Sequence, residues 1–386
     1  MGGMRVIPSS FSLACLIESV YHSSMKLTVQ IQLLPAVDQS AKLLATVERF
    51  NEAAGWIAGE LFARQMTNKI EAQRFLYAEI RERFGLSSQM AILCLHRACE
   101  AYRRDKAIRP KFRKHAAITY DVRTMSFKGI DKVSLLTLDG RVVVPFILGA
   151  YQAARIGYPK GQADLARRKD GKWFLVVTVD LPEETRTPAT DFIGVDLGIA
   201  AIATDSDGNH HSGAAVEAVR KRHNFQRKRL QRRGTTGARK KLKRVAGKEA
   251  RFKRHENHCI AKAIVESARR TGRGIALEDL KDIRLRVTAR GGEARNRLGG
   301  WGFAQLGMFI EYKSRLAGID VVYVAPRNTS RTCNRCSHCQ KSNRKSQSEF
   351  TCKACGYTAN ADQNAARNIR ALGISKLPTG LASPQA

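Results

Sequence analysis

Cys333-Asn-Arg-Cys336, Cys352-Lys-Ala-Cys355 and Ala361-Asp362-Gln-Asn-Ala-Ala-Arg-Asn368 form the stretch on which the reading of this 386-residue chain turns. The two C-x-x-C pairs are separated by fifteen polar and basic residues. Two knuckles at this distance can close a tetrahedral thiolate site around one Zn²⁺, in place of the packing that so small a core lacks. A redox dithiol is the competing reading. Cys339 also leaves a second register open, because Cys336 and Cys339 form a C-x-x-C as well. Asp362 follows the last cysteine by seven residues, at the expected start of a helix. A carboxylate beside a metal ribbon is held in place, as a metal ligand must be, although Asp is also a favoured N-cap.

Charge narrows the partners. Lys plus Arg number 67 against 34 Asp plus Glu, a net charge of +33. Such self-repulsion suits a polyanion partner and has no use in an enzyme of small metabolites. An anionic membrane would favour a basic helix with an apolar face, and the most basic segment has few apolar residues. No apolar run reaches the length of a membrane span, so the expectation is a cytoplasmic, nucleoid-associated protein without membrane contact. Five of the nine cysteines cluster between Cys333 and Cys355, which fits metal binding in a reducing compartment.

Residues 1–24 make a poor signal peptide and read as a disordered leader before a strand from Met25 to Leu34. Helical periodicity then runs from Gln39 to Tyr102, with apolar stripes Leu43/Val47/Phe50/Ala54/Leu61, Ile70/Tyr77/Ile80/Phe84 and Ala91/Leu95/Ala98/Tyr102. These are core faces and carry no chemistry. Asp139-Gly140 and Asp170-Gly171, each between apolar runs, predict two hairpins. A β domain over residues 25–190 with a helical insertion at about 36–105 results, and Leu181 to Thr190 reads as a linker.

The second half opens on Ile193-Gly-Val-Asp196-Leu-Gly-Ile199. Alternation on a strand buries Ile193, Val195 and Leu197 and puts Gly194, Asp196 and Gly198 on the other face. Glycines there are expected to leave room for metal ions and a sugar–phosphate backbone. A second strand, Ala200 to Thr204, returns after it. From Arg220 to Arg254 there are seventeen Lys/Arg and one acid, Glu249. Like charges at i,i+4 destabilise a helix unless neutralised, so Arg227, Lys228, Arg229, Arg232, Arg233, Lys240, Lys241, Lys243 and Arg244 are candidate phosphate contacts. The Gly234-Thr-Thr-Gly237 break splits the run into two helices. Ile275-Ala-Leu-Glu278 reads as a buried strand ending in an acid, with Asp279 pointing the opposite way. Residues 374–386 read as a disordered tail.

Asp196, Glu278 and Asp362 therefore stand at comparable ends of one α/β core. Gathered carboxylates repel unless divalent cations bind among them. Two Mg²⁺ ions about 3.5–4 Å apart could activate a water and stabilise the leaving oxygen of a phosphodiester. No nucleophile triad and no Walker loop occurs.

Ile-Gly-Val-Asp196-Leu-Gly, Leu-Glu278-Asp-Leu, Thr329-Ser-Arg-Thr-Cys333-x-x-Cys336, Cys352-x-x-Cys355-Gly356 and Asp362-x-Asn364-Ala-Ala-x-Asn368-Ile369 together resemble the TnpB family, transposon-encoded proteins related to type V CRISPR effectors. The resemblance implies an α+β multidomain chain: a wedge-like N-terminal β-barrel with a helical recognition insertion, then an RNase H-like (RuvC) α/β domain. It assigns residues 191–332 and 357–373 to that nuclease domain and 333–356 to an inserted zinc ribbon. It further implies guide RNA and target DNA as partners, Asp196, Glu278 and Asp362 as Mg²⁺-binding catalytic acids, and Cys333, Cys336, Cys352 and Cys355 as zinc ligands. Two positions depart from the family pattern. Ser337 replaces a usual Gly, and Asn360 stands where an acid is common. An RNA-guided DNA-binding protein that does not cut and a DNA strand-transfer transposase are the alternatives to an RNA-guided endonuclease.

Overall fold

Along Ser24–Leu33 (β1), Met25, Val29, Ile31 and Leu33 are buried while Lys26, Thr28 and Gln30 face water. This period-two pattern fixes the strand's register in a half-buried sheet. The computed structural model describes residues 24–158, 160–186, 188–198, 201–280, 302–346 and 348–377. Of the expected leader and tail, residues 1–23 and 378–386 lie outside the described residues, as do Ile199 and Ala200. Contacts divide the chain into two units, Met1–Pro182 and Glu183–Ala386.

In the first unit, β1 is followed by three helices, Val37–Ala63 (α1), Lys69–Phe84 (α2) and Ser88–Arg104 (α3). Asn68 separates the first two, its side chain accepting from the Ile70 N–H at 2.9 Å, and Gly85 ends the second in a left-handed conformation (φ 62°). The stripes expected on α1 and α3 are buried. On α2 the expected Ile80 and Phe84 are buried and are joined at i,i+4 spacing by Ala72 and Leu76, whereas Ile70 is 69% exposed.

Six more strands complete the sheet: Ile118–Tyr120 (β2), Met125–Lys128 (β3), Lys132–Thr137 (β4), Gly140–Ile147 (β5), Lys160–Arg167 (β6) and Trp173–Pro182 (β7). A short helix, Ala150–Ile156 (α4), precedes β6. The strand order is β2-β6-β7-β1-β5-β4-β3, all antiparallel, and both Asp-Gly hairpins form. The edge strands β2 and β3 are joined by only residues 121–124. Those residues reach at most about 18 Å, whereas a flat seven-stranded sheet would be about 29 Å across. The sheet has therefore rolled until its edges nearly meet. Tyr120 Oη of β2 donates to the Leu136 carbonyl of β4 at 2.8 Å, across that seam.

The second unit is an α/β layer. Phe192–Asp196 (β8), Ala201–Asp205 (β9) and His210–Ser212 (β10) form a meander, and Gly274–Glu278 (β11) and Val321–Val324 (β12) add in parallel, in the order β10-β9-β8-β11-β12. Ala214–Arg233 (α5), Thr236–Thr271 (α6) and Phe303–Leu316 (α7) lie between these strands in sequence. Gly234 (φ 64°) and the Thr235 N-cap make the break between α5 and α6. On one face Ile193, Val195, Ile275 and Leu277 pack with Ile260, Ile264 and Ala268 of α6 and Leu306 and Ile310 of α7. On the other, Phe192, Ala276 and Val324 pack with Ile369 of the last helix, Ala361–Ile374 (α8).

Gly194 lies on the α8 face. A Cβ there would come within 2.1 Å of the Ala366 carbonyl oxygen and 2.4 Å of the Arg370 nitrogen. Space expected for a ligand is thus taken by helix backbone. Gly198 is confined in the same way, by the Ala201 carbonyl at 2.8 Å. Backbone cannot move aside as a side-chain tip can, so Gly194→Ala is predicted to cost about 3 kcal/mol. Denaturant unfolding, with amide exchange of α8 as a local readout, tests this. A loss below about 0.5 kcal/mol, the range of neutral surface changes, would contradict the packing.

Candidate functional site

Strand parity brings the first two acids together. Val195 and Leu277 are paired across β8 and β11, and Asp196 and Glu278 each stand one residue further on. Phe192 and Ala276 belong to the α8 face, so Asp196 and Glu278, at even spacing from them, share it. Asp362 comes from the first turn of α8, which Asn360 caps by accepting from the Asp362 and Gln363 N–H groups at 2.9 and 3.1 Å. The residue that replaces a common family acid therefore serves as the helix cap.

Asp196 feels the charge of both other acids. Burial, then the charges of Glu278 and Asp362, push the Asp196 carboxyl up to about 8, with Arg344 pulling the other way. Burial raises Glu278 too, opposed by the Thr329 hydroxyl, which donates to Glu278 Oε1 at 2.5 Å. Asp362 is 6% exposed and is raised by burial, even though the Arg344 guanidinium pairs with it at 3.1 Å. A site that holds three acids against their own charge is one that a divalent cation would relieve.

Four sulfurs converge next to it. Cys333, Cys336, Cys352 and Cys355 have their Sγ atoms within 4.8 Å of one another, with Cys333–Cys355 at 3.7 Å and Cys336–Cys352 at 3.5 Å. Tetrahedral Zn–S bonds of about 2.3 Å would space the sulfurs at about 3.8 Å, so the tetrad fits the ion. Cys339 is exposed and lies outside the tetrad, which contains Cys336. The knuckles match bond for bond. Ser337 and Gly356 donate N–H groups to the Cys333 and Cys352 carbonyls, and Cys333 and Cys352 donate to the carbonyls of His338 and Tyr357. Ser337 (φ 61°) and Gly356 (φ 69°) occupy equivalent left-handed positions, which explains why glycine is usual at the first. The N–H groups of Cys355 and Ala354 bring the Cys352 thiol down to about 6, toward the thiolate a metal requires. Besides Phe350 the ribbon buries little apolar surface. That ring supplies about 2–3 kcal/mol against about 10 or more from a structural zinc.

Two asparagines of α8 tie the ribbon to the acids. Asn364, fully buried, donates to the Thr332 carbonyl at 2.8 Å and accepts from the Asn334 N–H at 3.1 Å. Asn368 donates to the Thr329 and Thr332 carbonyls at 2.8 and 2.7 Å. Sequence reasoning named no role for Thr329 and missed Arg344 altogether. The first carried only its place in a motif, and the second is one cation among several between Cys339 and Cys352.

Of the candidate phosphate contacts, Lys228, Arg229, Arg232, Arg233, Lys240, Lys241, Lys243 and Arg244 are exposed on α5 and α6. Arg227 is turned inward and pairs with Glu249 at 3.1 Å. Glu249 also binds Lys253, so the one acid of the run is an internal strut between the two helices. Among the described residues no helix is long and apolar enough to cross a membrane.

A family described as "Cas12f1-like, TNB domain" matches residues 303–369, and one described as "Probable transposase" matches residues 174–283. The CRISPR-associated endodeoxyribonuclease Cas12f1 of Sulfoacidibacillus thermotolerans is 33% identical over 229 residues, 54% of this chain and 52% of that protein. The "Putative RNA-guided DNA endonuclease InsQ" of Escherichia coli K12 is 28% identical over 314 residues, 76% of this chain and 75% of that one. A solved Cas12f1–sgRNA–target DNA complex contains a chain that superposes with a TM-score of 0.63 over 90% of this chain and 99% of that one, at 14% identity. The chain spans about half the length of the Cas12f1 relative. The chain is thus similar in sequence to TnpB-like and Cas12f1 proteins and similar in fold to Cas12f1, and its own mixed α/β fold carries a nearly closed sheet and a cysteine cluster.

Elemental analysis of the purified protein is expected to give one zinc per chain, lost in Cys352→Ser and kept in Cys339→Ser. Retention in the first variant, or loss in the second, contradicts the tetrad. The raised Asp196 carboxyl gives a second expectation. The fold binds its proton more tightly than the unfolded chain does, so metal-free stability drains away as pH climbs from about 4 to about 8. Asp196→Asn, which mimics the protonated group, should gain in melting temperature on the parent across that interval and level off above it. A constant difference would show that the charge is not strained.

Proposed function

We propose that this chain is a metal-dependent, RNA-guided DNA endonuclease whose second unit is a RuvC-like nuclease domain. In this reading residues 25–190 form a wedge-like domain with its helical insertion, 191–332 and 357–373 the nuclease domain, and 333–356 the zinc ribbon. The observation that carries it is the meeting of Asp196, Glu278 and Asp362 at one end of the parallel strands β8 and β11, in a chain similar to proteins named as endonucleases. Magnesium ions bound among these carboxylates, two in the usual form of such sites, would supply an activated water and a counter-charge for the leaving oxygen.

The chain's own residues do the rest. Thr329 fixes the rotamer of Glu278 by its hydroxyl. Asn360 and the start of α8 fix Asp362, whose negative charge also faces the positive end of the helix. Arg344, held beside Asp362, is placed to meet a phosphate oxygen once the carboxylate is shared with a cation. Exposed cations of α5 and α6 hold the sugar–phosphate backbone, while guide–target pairing supplies sequence choice.

The match to a "Probable transposase" family supports a second reading, DNA strand transfer by the same acids. Product analysis separates the two, since transfer yields joined strands and hydrolysis does not. Asp196→Ala, Glu278→Ala and Asp362→Ala should each lower Mg²⁺-dependent cleavage by about a thousandfold or more while RNA and target binding stay within about twofold, because affinity comes from phosphates and pairing. Asp279→Ala, of opposite strand parity, should cost far less. Cleavage surviving in the first three, or equal cutting by RNA-free protein, would overturn the proposal.

A further inference from the structure

Phe225 sits halfway along α5 and is 68% exposed. Its four helical neighbours, at i−4, i−3, i+3 and i+4, are Lys221, Arg222, Lys228 and Arg229, and all four are exposed. The inward side of α5 is already filled by Val216, Arg220, His223 and Leu230, the last packing on Ala238 and Val245 of α6. At about 100° per residue Phe225 stands about 200° from His223, on the opposite side of the helix. Among the described residues no acid pairs with the four cations, and no ring, guanidinium or ammonium lies over the phenyl face.

An apolar ring held in water amid four like charges has no folding role. Both the exposed ring and the mutual repulsion weaken the isolated helix. A single ring without apolar neighbours is also a poor membrane anchor, which needs an apolar face and not one residue. An unpaired nucleobase is the group that satisfies all five side chains at once. Its π-face stacks on the ring, and phosphates on either side meet cations about 5–6 Å away along the helix. A duplex would engage the cations but could not offer a free base face. We propose that Phe225, ringed by Lys221, Arg222, Lys228 and Arg229, is a stacking site for an unpaired base, so that the outer face of α5 takes single-stranded nucleic acid. This deepens the nucleic-acid reading above, yet it does not depend on the acids or on cleavage.

The test is binding of full-length protein, freed of nucleic acid and without added magnesium, to single-stranded RNA, single-stranded DNA and a blunt duplex. The single strands carry 2-aminopurine as a stacking reporter. Phe225→Ala is expected to weaken single-strand binding about tenfold, with an unchanged log–log salt slope and unchanged duplex affinity. Phe225→Trp should restore it. Arg222→Gln with Arg229→Gln should instead reduce the slope. A loss confined to RNA or to DNA names the strand and supports the site. Equal weakening on the duplex, no weakening on either single strand, or no quenching of 2-aminopurine by the parent protein would overturn it. So would a Phe225 effect seen only on binding to polyglutamate, which would make the surface a dock for an acidic protein. Acid-site variants that lose cleavage but keep the Phe225 effect leave this site standing whatever becomes of the nuclease.

Discussion

At Gly194 helix α8 rests on strand β8 backbone to backbone, and the placement of the acids and of the ribbon depends on that contact. At Gly194 the gap is too small for a methyl group. Because the helix is pressed flat at this point, its first turn reaches the end of the strand, and Asp362 arrives beside Asp196. The same helix presents Asn364 and Asn368 one turn apart, which strap down the segment leading into the cysteine ribbon. Packing, acid placement and ribbon anchoring are thus three consequences of one close approach.

The site that results is electrostatically unfinished. Burial raises the proton affinity of all three acids, and the charges of Glu278 and Asp362 raise that of Asp196 further. Arg344 answers part of that charge, reaching from the ribbon to Asp362. Folding alone would favour apolar residues here, so the uncompensated charge marks a candidate cation site. The ribbon has a matching economy: four sulfurs spaced for a metal stand where a larger core would otherwise be required.

Local chemistry was legible in the chain. Asp-Gly turns, the Gly234 break, the cysteine spacing and the parity that separates Glu278 from Asp279 all depend on neighbours within a few residues. Long-range relations were not. Gly194 looked like room for a ligand, and only the fold shows that a helix occupies the room. On α2 Ile80 and Phe84 are core residues as expected, but the first turns bury Ala72 and Leu76 rather than Ile70, a choice that packing alone makes. Arg227 looked like its neighbours until Glu249, twenty-two residues on, claimed it. The near-closure of the sheet follows from strand order, which no local pattern carries.

The central claim is that Asp196, Glu278 and Asp362 together form a divalent-cation site. Anomalous diffraction from crystals of the protein soaked in Mn²⁺ tests it most directly. The account predicts manganese density among these three carboxylates, absent in crystals of Asp196→Asn. Density confined to other acids, or unchanged by that substitution, would contradict it.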